Sequence, residues 1–327
     1  MLRTAVIGVG HLGKQHARLH AAFAREGHSE FVGVCDINAT RADELAREYQ
    51  VTATDDWQRL MGNVEAVSLA VPTESHAQIA CELLTAGIHV LVEKPISRTL
   101  EEADAMIAAA KEGGAVLQVG HAERFNAALI ALRPHVKDPL YFEIHRVGQF
   151  SARSLDIDVV LDLMIHDLDI VQWLVGEDVE VANVHAVGIP ILTNRVDAAN
   201  ARIEFATGAV ANITASRVGT ERIRKMRFFQ PRDYVVLDYT NNYASISNLS
   251  PPSVTPWPGV RTQVLEVAEV EPLHAEIESF IKASTNGAPP SVSGADGRRA
   301  LSLALRTLDQ IHQHTLRIGA ASLAQNT

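Results

Sequence analysis

Several groups of residues have the types and spacing for chemistry. Val90-Leu91-Val92 is a short apolar run that ends abruptly in Glu93-Lys94-Pro95. The run reads as a buried strand, and Pro95, which has no N–H, stops the ladder. An acid and a base are thereby delivered to the carboxyl end of a strand, where open α/β sheets bind ligands. Lys-Pro after a strand is also ordinary loop chemistry, so the meaning of Lys94 depends on the elements around it. Near the start, the strand 4–7 runs into Gly8-Val9-Gly10-His11-Leu12-Gly13, and a helical pattern follows over 14–24. In a GxGxxG turn one glycine makes the bend, one admits a pyrophosphate and one lets helix and strand pack closely. The helix N-terminus then offers its N–H groups to phosphate. A second strand, 31–35, ends at Asp36, roughly where a ribose-binding carboxylate belongs. A carboxylate there accepts the two ribose hydroxyls and repels a 2′-phosphate. NAD is therefore the expected cofactor, although Arg41 is near enough to keep NADP open.

The segment 158–175 is apolar almost all round, as in a buried helix. Asp158, Asp162, His166 and Asp169 nevertheless fall within about 80° of one another at roughly 100° per residue. A polar stripe on a buried helix must face something polar. Asp162 and His166 are i,i+4 neighbours, so the carboxylate can orient the imidazole and stabilise its protonated form. An Asp/His pair of this kind also serves as a structural hydrogen bond, and a catalytic reading draws on its combination with Lys94.

Strands and helices alternate through the first third. Helices are predicted over 41–49, 75–86 and 101–111, and strands over 64–71 and 116–119. This alternation predicts a parallel, doubly wound sheet. Glu93-Lys94-Pro95 then leaves the same sheet edge as the glycine turn. After His121 the texture changes to longer strands, over 141–150, 179–187, 199–205, 210–217 and 225–229, several joined by glycine turns. These predict a second α/β domain with a large, mostly antiparallel open sheet. A loop is expected over 248–259 and two closing helices over 273–283 and 295–316. The expected domains are 1–122, binding the dinucleotide, and 123–327, binding substrate.

The 327 residues carry a formal net charge of −10, with 47% hydrophobic and 21% charged. No Lys/Arg block marks a nucleic-acid or anionic-membrane partner, and no run approaches the roughly 20 apolar residues of a membrane span. Met1-Leu2-Arg3 leads straight into a strand, so a cytoplasmic protein without a signal peptide is expected. Cys35 and Cys81 sit in apolar patterns and read as reduced core residues. The 14 histidines lack ligand spacing, and no metal is expected.

These motifs resemble the Gfo/Idh/MocA oxidoreductases over essentially the whole chain. The resemblance is carried by the glycine turn with His16, Val71-Pro72-Thr73 with His76, Glu93-Lys94-Pro95, Asp162-Leu163-Met164-Ile165-His166, and the run 293–301. It implies an NAD(P)-dependent dehydrogenase with a Rossmann domain and a C-terminal substrate domain, forming dimers or tetramers. By position, Lys94 would be the catalytic lysine, and Asp162 and His166 the acid–base dyad. Val71, Thr73, His76 and Glu93 would line the cofactor. A narrower resemblance, to bacterial UDP-N-acetylglucosamine 3-dehydrogenases of lipid A and surface-glycan synthesis, rests on residues 120–126, 166–170, 199–202 and 214–217. Ala127 stands where that group commonly has proline. In that reading Arg124 and Asn126 reach the substrate. Arg153 and Arg217 pair with a diphosphate, since guanidinium forks suit phosphate oxygens; either is also an ordinary surface or strand-end arginine. The expected chemistry is oxidation of a sugar hydroxyl, His166 taking the proton and Lys94 stabilising the oxygen, or the two in exchanged roles. A free sugar, inositol or other polyol, an imine or bilin, and a dinucleotide sensor without turnover remain the alternatives.

Overall fold

The computed structural model describes residues 1–149, 157–250 and 259–325. Contacts gather it into two units: Met1–Phe125 with Glu271–Leu301, and Asn126–Val270 with Ser302–Thr327.

In the first unit β1 (Arg3–Ile7), α1 (His11–Arg25), β2 (Glu30–Cys35), α2 (Ala39–Tyr49), β3 (Thr52–Thr54), β4 (Ala66–Leu69), α3 (His76–Thr85), β5 (His89–Glu93), α4 (Leu100–Glu112) and β6 (Leu117–Gly120) alternate. The six strands pair in the order β3-β2-β1-β4-β5-β6, all in parallel. Order reverses between β1 and β4, and ligands of such sheets bind outside the carboxyl ends at that switch point. Every residue of β4 is buried, and so is all of β5 except His89. This explains why these strands read as continuous apolar runs: helices cover both faces of a parallel sheet. Thr99 caps α4 and Asn38 caps α2 with side-chain oxygens, whereas α1 starts at Gly10 with no side-chain cap.

The second unit begins with α5 (Ala127–Leu132) and β7 (Tyr141–Gln149). Phe150, the predicted end of that strand, lies outside the described residues. A π-helical turn over Val160–Met164 leads into α6 (Ile165–Val175). β8 (Val181–Ile189), β9 (Ala198–Phe205), β10 (Val210–Gly219), β11 (Ile223–Gln230), β12 (Asp233–Asp238), β13 (Tyr243–Ser250) and β14 (Gly259–Val264) complete an eight-stranded sheet. Its order is β14-β13-β12-β11-β7-β10-β9-β8, with β7–β10 its parallel pair and the other pairs antiparallel. Burial alternates along β9, β10 and β11, as expected when one face packs on a core and the other does not. The predicted loop over 248–259 is strand at both described ends, with its middle outside the described residues.

The chain closes with α7 (Pro272–Asn286) and α8 (Gly294–Gln325). Ile277, Phe280 and Ile281 of α7 share a core cluster with Leu19, Phe23, Ala66 and Leu91, which seats α7 on the parallel sheet. None of the described helices is long and apolar enough to cross a membrane.

Candidate active site

The glycine turn is built by close backbone approach. Gly8 lies at φ +84°, and a Cβ there would come 2.6 Å from the Ala70 carbonyl oxygen, so the turns after β1 and β4 touch. A Cβ on Gly13 would fall 1.8 Å from the Gly8 carbonyl oxygen. Gly10 differs: its Cβ would meet nothing within 4 Å. His11 and Leu12 are exposed on the first turn of α1. Asp36, buried just beyond β2, accepts hydrogen bonds from Val9 N through Oδ2 and from Asn38 N through Oδ1, both at 2.9 Å. Arg41 Nη1 lies 3.3 Å from the same Oδ2. The sequence therefore brings together an open glycine, an uncapped helix start that donates and a fixed carboxylate that accepts, which is the set of groups a dinucleotide needs.

At the end of β5, Glu93 is buried and Lys94 half-buried. Glu93 Oε1 lies 2.9 Å from His16 Nε2, and its Oε2 accepts the Lys94 main-chain N–H at 3.2 Å. Burial alone would raise the Glu93 pKa. The His16 hydrogen bond and charge, followed by the Lys94 charge, overcome it and hold the carboxyl below the usual carboxylate value. His76 fastens the same turn: Nδ1 lies 3.1 Å from the Pro95 carbonyl oxygen and Nε2 lies 3.0 Å from that of Val71. Burial pushes the His76 pKa down, against the pull of these carbonyls. Val71 and Thr73 are half-buried in the turn after β4. His76 thus reads as a staple between the two turns, a role its place in the sequence does not disclose.

In the second unit Asp162 lies in the π-helical turn and His166 in the first turn of α6, both half-buried. The wider π turn alters the continuous α-helical stripe expected over 158–175, and such turns recur at functional sites. Asp158 instead holds Val196 N through Oδ1 at 2.9 Å. Asp167, adjacent to His166, forms a bidentate pair with Arg146 at 2.7 and 2.9 Å, both side chains buried. This pair lies outside the stripe predicted from the sequence. A lone acid on the apolar side of a buried helix was its signal, since such residues are almost never fully buried unless paired.

The predicted substrate arginines have other partners. Arg124 is buried and lies 3.3 Å from Asp296 Oδ1. Arg217 is buried against Asp197 at 3.1 Å and donates to the Ile157 and Val196 carbonyls. Asn126 caps α5, its Oδ1 accepting from Ala128 N and Leu129 N. Arg153 lies outside the described residues. Among the described residues no His/Cys/Asp/Glu group could hold a metal.

A doubly wound 3-2-1-4-5-6 sheet with this glycine turn, followed by a large open sheet, defines a two-unit nicotinamide-dependent oxidoreductase. The profile described as "Oxidoreductase family, NAD-binding Rossmann fold" matches residues 2–121, and that of the GFO/IDH/MocA C-terminal domain matches 134–229. The chain belongs to the Gfo/Idh/MocA oxidoreductase family, whose Rossmann fold binds NAD. It is 42% identical over 306 residues to the UDP-N-acetylglucosamine 3-dehydrogenase of Acidithiobacillus ferrooxidans, covering 93% of this chain and 96% of that one. The solved structure of that enzyme, GnnA, superposes with a TM-score of 0.87 at 40% identity, covering 95% of this chain and 97% of that one. An inositol 2-dehydrogenase of Rhizobium meliloti is 27% identical, over 93% of this chain and 94% of its own. Levoglucosan dehydrogenase in complex with NADH and levoglucosan shares the fold, with a TM-score of 0.84 at 23% identity, covering 95% and 97%.

Proposed function

We propose that this chain oxidises a secondary hydroxyl of a sugar, C3 of a UDP-N-acetylglucosamine-type nucleotide sugar. The observation that carries the reading is the 42% identity to an enzyme of that name across nearly the full length of both chains. Residues 1–122 serve as the dinucleotide domain and 123–327 as the substrate and assembly domain, except that Glu271–Leu301 groups with the first unit.

Bound NAD supplies the hydride acceptor, and the protein contributes alignment. Gly8, Gly10, His11, Leu12 and Gly13 receive the pyrophosphate at the uncapped start of α1. Asp36 accepts from the ribose hydroxyls, and its charge favours NAD over NADP. Val71, Thr73, His76 and Glu93 would line the cofactor. His166, oriented by Asp162, takes the hydroxyl proton as the carbon gives up its hydride. Lys94 donates a hydrogen bond to the same oxygen and stabilises its developing charge. The product is a ketone.

Exposed Val187 and Ile189 on β8 support docking of a second copy, and we assign a homodimer or homotetramer acting in the cytoplasm in surface-glycan synthesis.

A free sugar or polyol is the second reading. It is favoured by the engagement of Arg217 with Asp197, which takes one expected diphosphate contact away, and of Arg124 with Asp296, which occupies an expected substrate contact. Incubating the protein and NAD with UDP-N-acetylglucosamine, free N-acetylglucosamine or myo-inositol, and following reduced-nicotinamide absorbance, separates the two. A rise with the nucleotide sugar alone supports the first reading, and a rise with a free sugar or inositol alone replaces it.

A further inference from the structure

Consecutive residues just before the π-helical turn are tied to one point of the loop between β8 and β9. The Ile157 carbonyl accepts from Arg217 Nη2. Asp158 Oδ1 accepts from Val196 N at 2.9 Å. Val159 N donates to the Val196 carbonyl at 2.9 Å, and the same carbonyl accepts from Arg217 Nη2 at 3.1 Å. Both main-chain groups of Val196 are therefore engaged with the segment 157–159. Val196 is in turn held from behind. Asp197, fully buried just before β9, accepts through Oδ2 from the main-chain N–H groups of Ile191, Leu192 and Thr193 at 2.7, 2.6 and 2.9 Å. Its Oδ1 accepts from Thr193 Oγ1 at 2.9 Å and lies 3.1 Å from Arg217 Nε. The Arg217 main-chain N–H donates to the Asp197 carbonyl at 3.0 Å, which joins the end of β10 to the start of β9.

These bonds hold an unusual piece of backbone. A π turn closes i→i+5 hydrogen bonds, is rare, and occurs mostly as a single turn inside an α-helix. The commoner α-helix is open to the same residues, so something must fix where the turn begins. Asp162 N donates to the Asp158 carbonyl at 3.0 Å. The residue whose side chain grips the loop thus also carries the first main-chain bond to Asp162. Asp162 lies inside the π turn and His166 in the helix just after it. β10, which carries Arg217, packs on the turn itself. Relaxation from i→i+5 to i→i+4 takes one residue out of the turn. Side chains on its two sides would then rotate against each other by roughly 100°. The plain alternative is that the bonds serve only to anchor the loop, which would give lost stability with unaltered chemistry.

We propose that Asp158, Asp197 and Arg217 form a clamp that fixes the start of the π turn, making them positioning residues that act through Asp162 and His166. Asp197 shapes the loop, Arg217 bridges Asp197 to the Ile157 and Val196 carbonyls, and Asp158 locks Val196 to the turn. Asp158 thereby has a role apart from the polar stripe, and Arg217 has one in place of the diphosphate contact expected of it. The effect on turnover rests on the reading of Asp162 and His166 as the acid–base dyad.

The test separates the hydrogen-bond acceptor from the charge. Asp158→Asn keeps an Oδ1 acceptor for Val196 N, and Asp158→Ala removes it. Arg217→Lys keeps a cation beside Asp197 but cannot span Asp197 and both carbonyls, because an ammonium is a point charge and not a planar fork. The ¹⁵N ring shifts of His166 are the readout independent of turnover. Turnover of UDP-N-acetylglucosamine with NAD, split into kcat and KM, is the second, and thermal unfolding confirms that each variant is folded. The His166 shifts should change in Asp158→Ala and Arg217→Lys and stay parental in Asp158→Asn. In the first two variants kcat should fall roughly tenfold or more, and in Asp158→Asn it should stay within about threefold, with KM for NAD unchanged throughout. His166 shifts that Asp158→Ala leaves unaltered overturn the proposal, and so does an Asp158→Asn protein as impaired as Asp158→Ala. Should Arg217→Lys fail to fold, the Asp158 pair decides alone. His166→Ala is the control for the dyad. If it is inactive, parental kcat in Asp158→Ala overturns the clamp. If it keeps full turnover while the His166 shifts of the Asp158 pair behave as stated, the reading of the dyad falls and the clamp stands.

Discussion

Gly10 offers a clean separation between a residue the fold needs and a residue the cofactor needs. Its φ of −67° and ψ of −156° suit any residue, and a Cβ there meets nothing within 4 Å. Gly10→Ala should therefore leave the ligand-free protein intact, or stabilise it by about 0.4–1 kcal/mol through a less flexible unfolded chain. The same methyl occupies the space through which the pyrophosphate approaches the backbone. Forcing a methyl into a filled contact typically costs about 1–3 kcal/mol, which is roughly a five- to 150-fold weaker Kd for NAD. Gly13→Ala is the contrasting variant. Its Cβ would sit 1.8 Å from the Gly8 carbonyl oxygen, so helix and turn must separate and the ligand-free protein itself should lose stability. Thermal unfolding without ligand, paired with calorimetric titration of NAD, reads both effects. A Gly10→Ala protein that binds NAD within twofold of the parent would refute the assignment of the open glycine to the pyrophosphate.

Other perturbations test the surroundings. Asp36→Asn should weaken NAD binding and narrow the preference over NADP, because the repelling charge is removed; titration with both dinucleotides checks it. Asp197 is held down to about 2, against the raising effect of burial, by the main-chain N–H groups of Ile191, Thr193 and Leu192. Its contribution of about 2 kcal/mol is complete above the unfolded value near 4 and is lost as pH falls through the folded value. Asp197→Asn should remove it, as seen in denaturant midpoints at neutral pH. Burial, and then the charge of His16, lower His20 to about 3. Its neutral form therefore stabilises the fold above the ordinary value of 6.5, and at pH 5 the loss is about 2 kcal/mol. His20→Leu should flatten that limb of the stability–pH curve, measured by urea unfolding between pH 7 and about 4.

The parallel sheet was legible because strands buried on both faces must be continuously apolar, as Val90-Leu91-Val92 is, and because glycine turns have few substitutes. The second sheet was legible in kind, through alternation in 199–205 and 210–217. Strands β12 to β14 were not. Their residues include Asp233, Asp238, Asn248 and several serines, and β14 is exposed along its whole length, so little apolar alternation marks them. The π turn at Val160–Met164 is invisible to a reading that assumes a constant 100° per residue. Partners were the least legible feature. The sequence gives no sign that Arg124 meets Asp296, that Arg217 meets Asp197, or that α7 packs on Leu19 and Leu91, because burial patterns say that a face is covered and not by what.

In the proposed reaction Lys94, at the end of a strand in a dinucleotide-binding sheet, acts on the substrate oxygen. Lys94→Ala, mixed with NAD and UDP-N-acetylglucosamine in a single turnover, tests it most directly when NAD binding is measured on the same sample. Reduced nicotinamide should form at least roughly a hundredfold more slowly than in the parent, with NAD affinity essentially unchanged. Formation at the parental rate, with NAD bound, would contradict it.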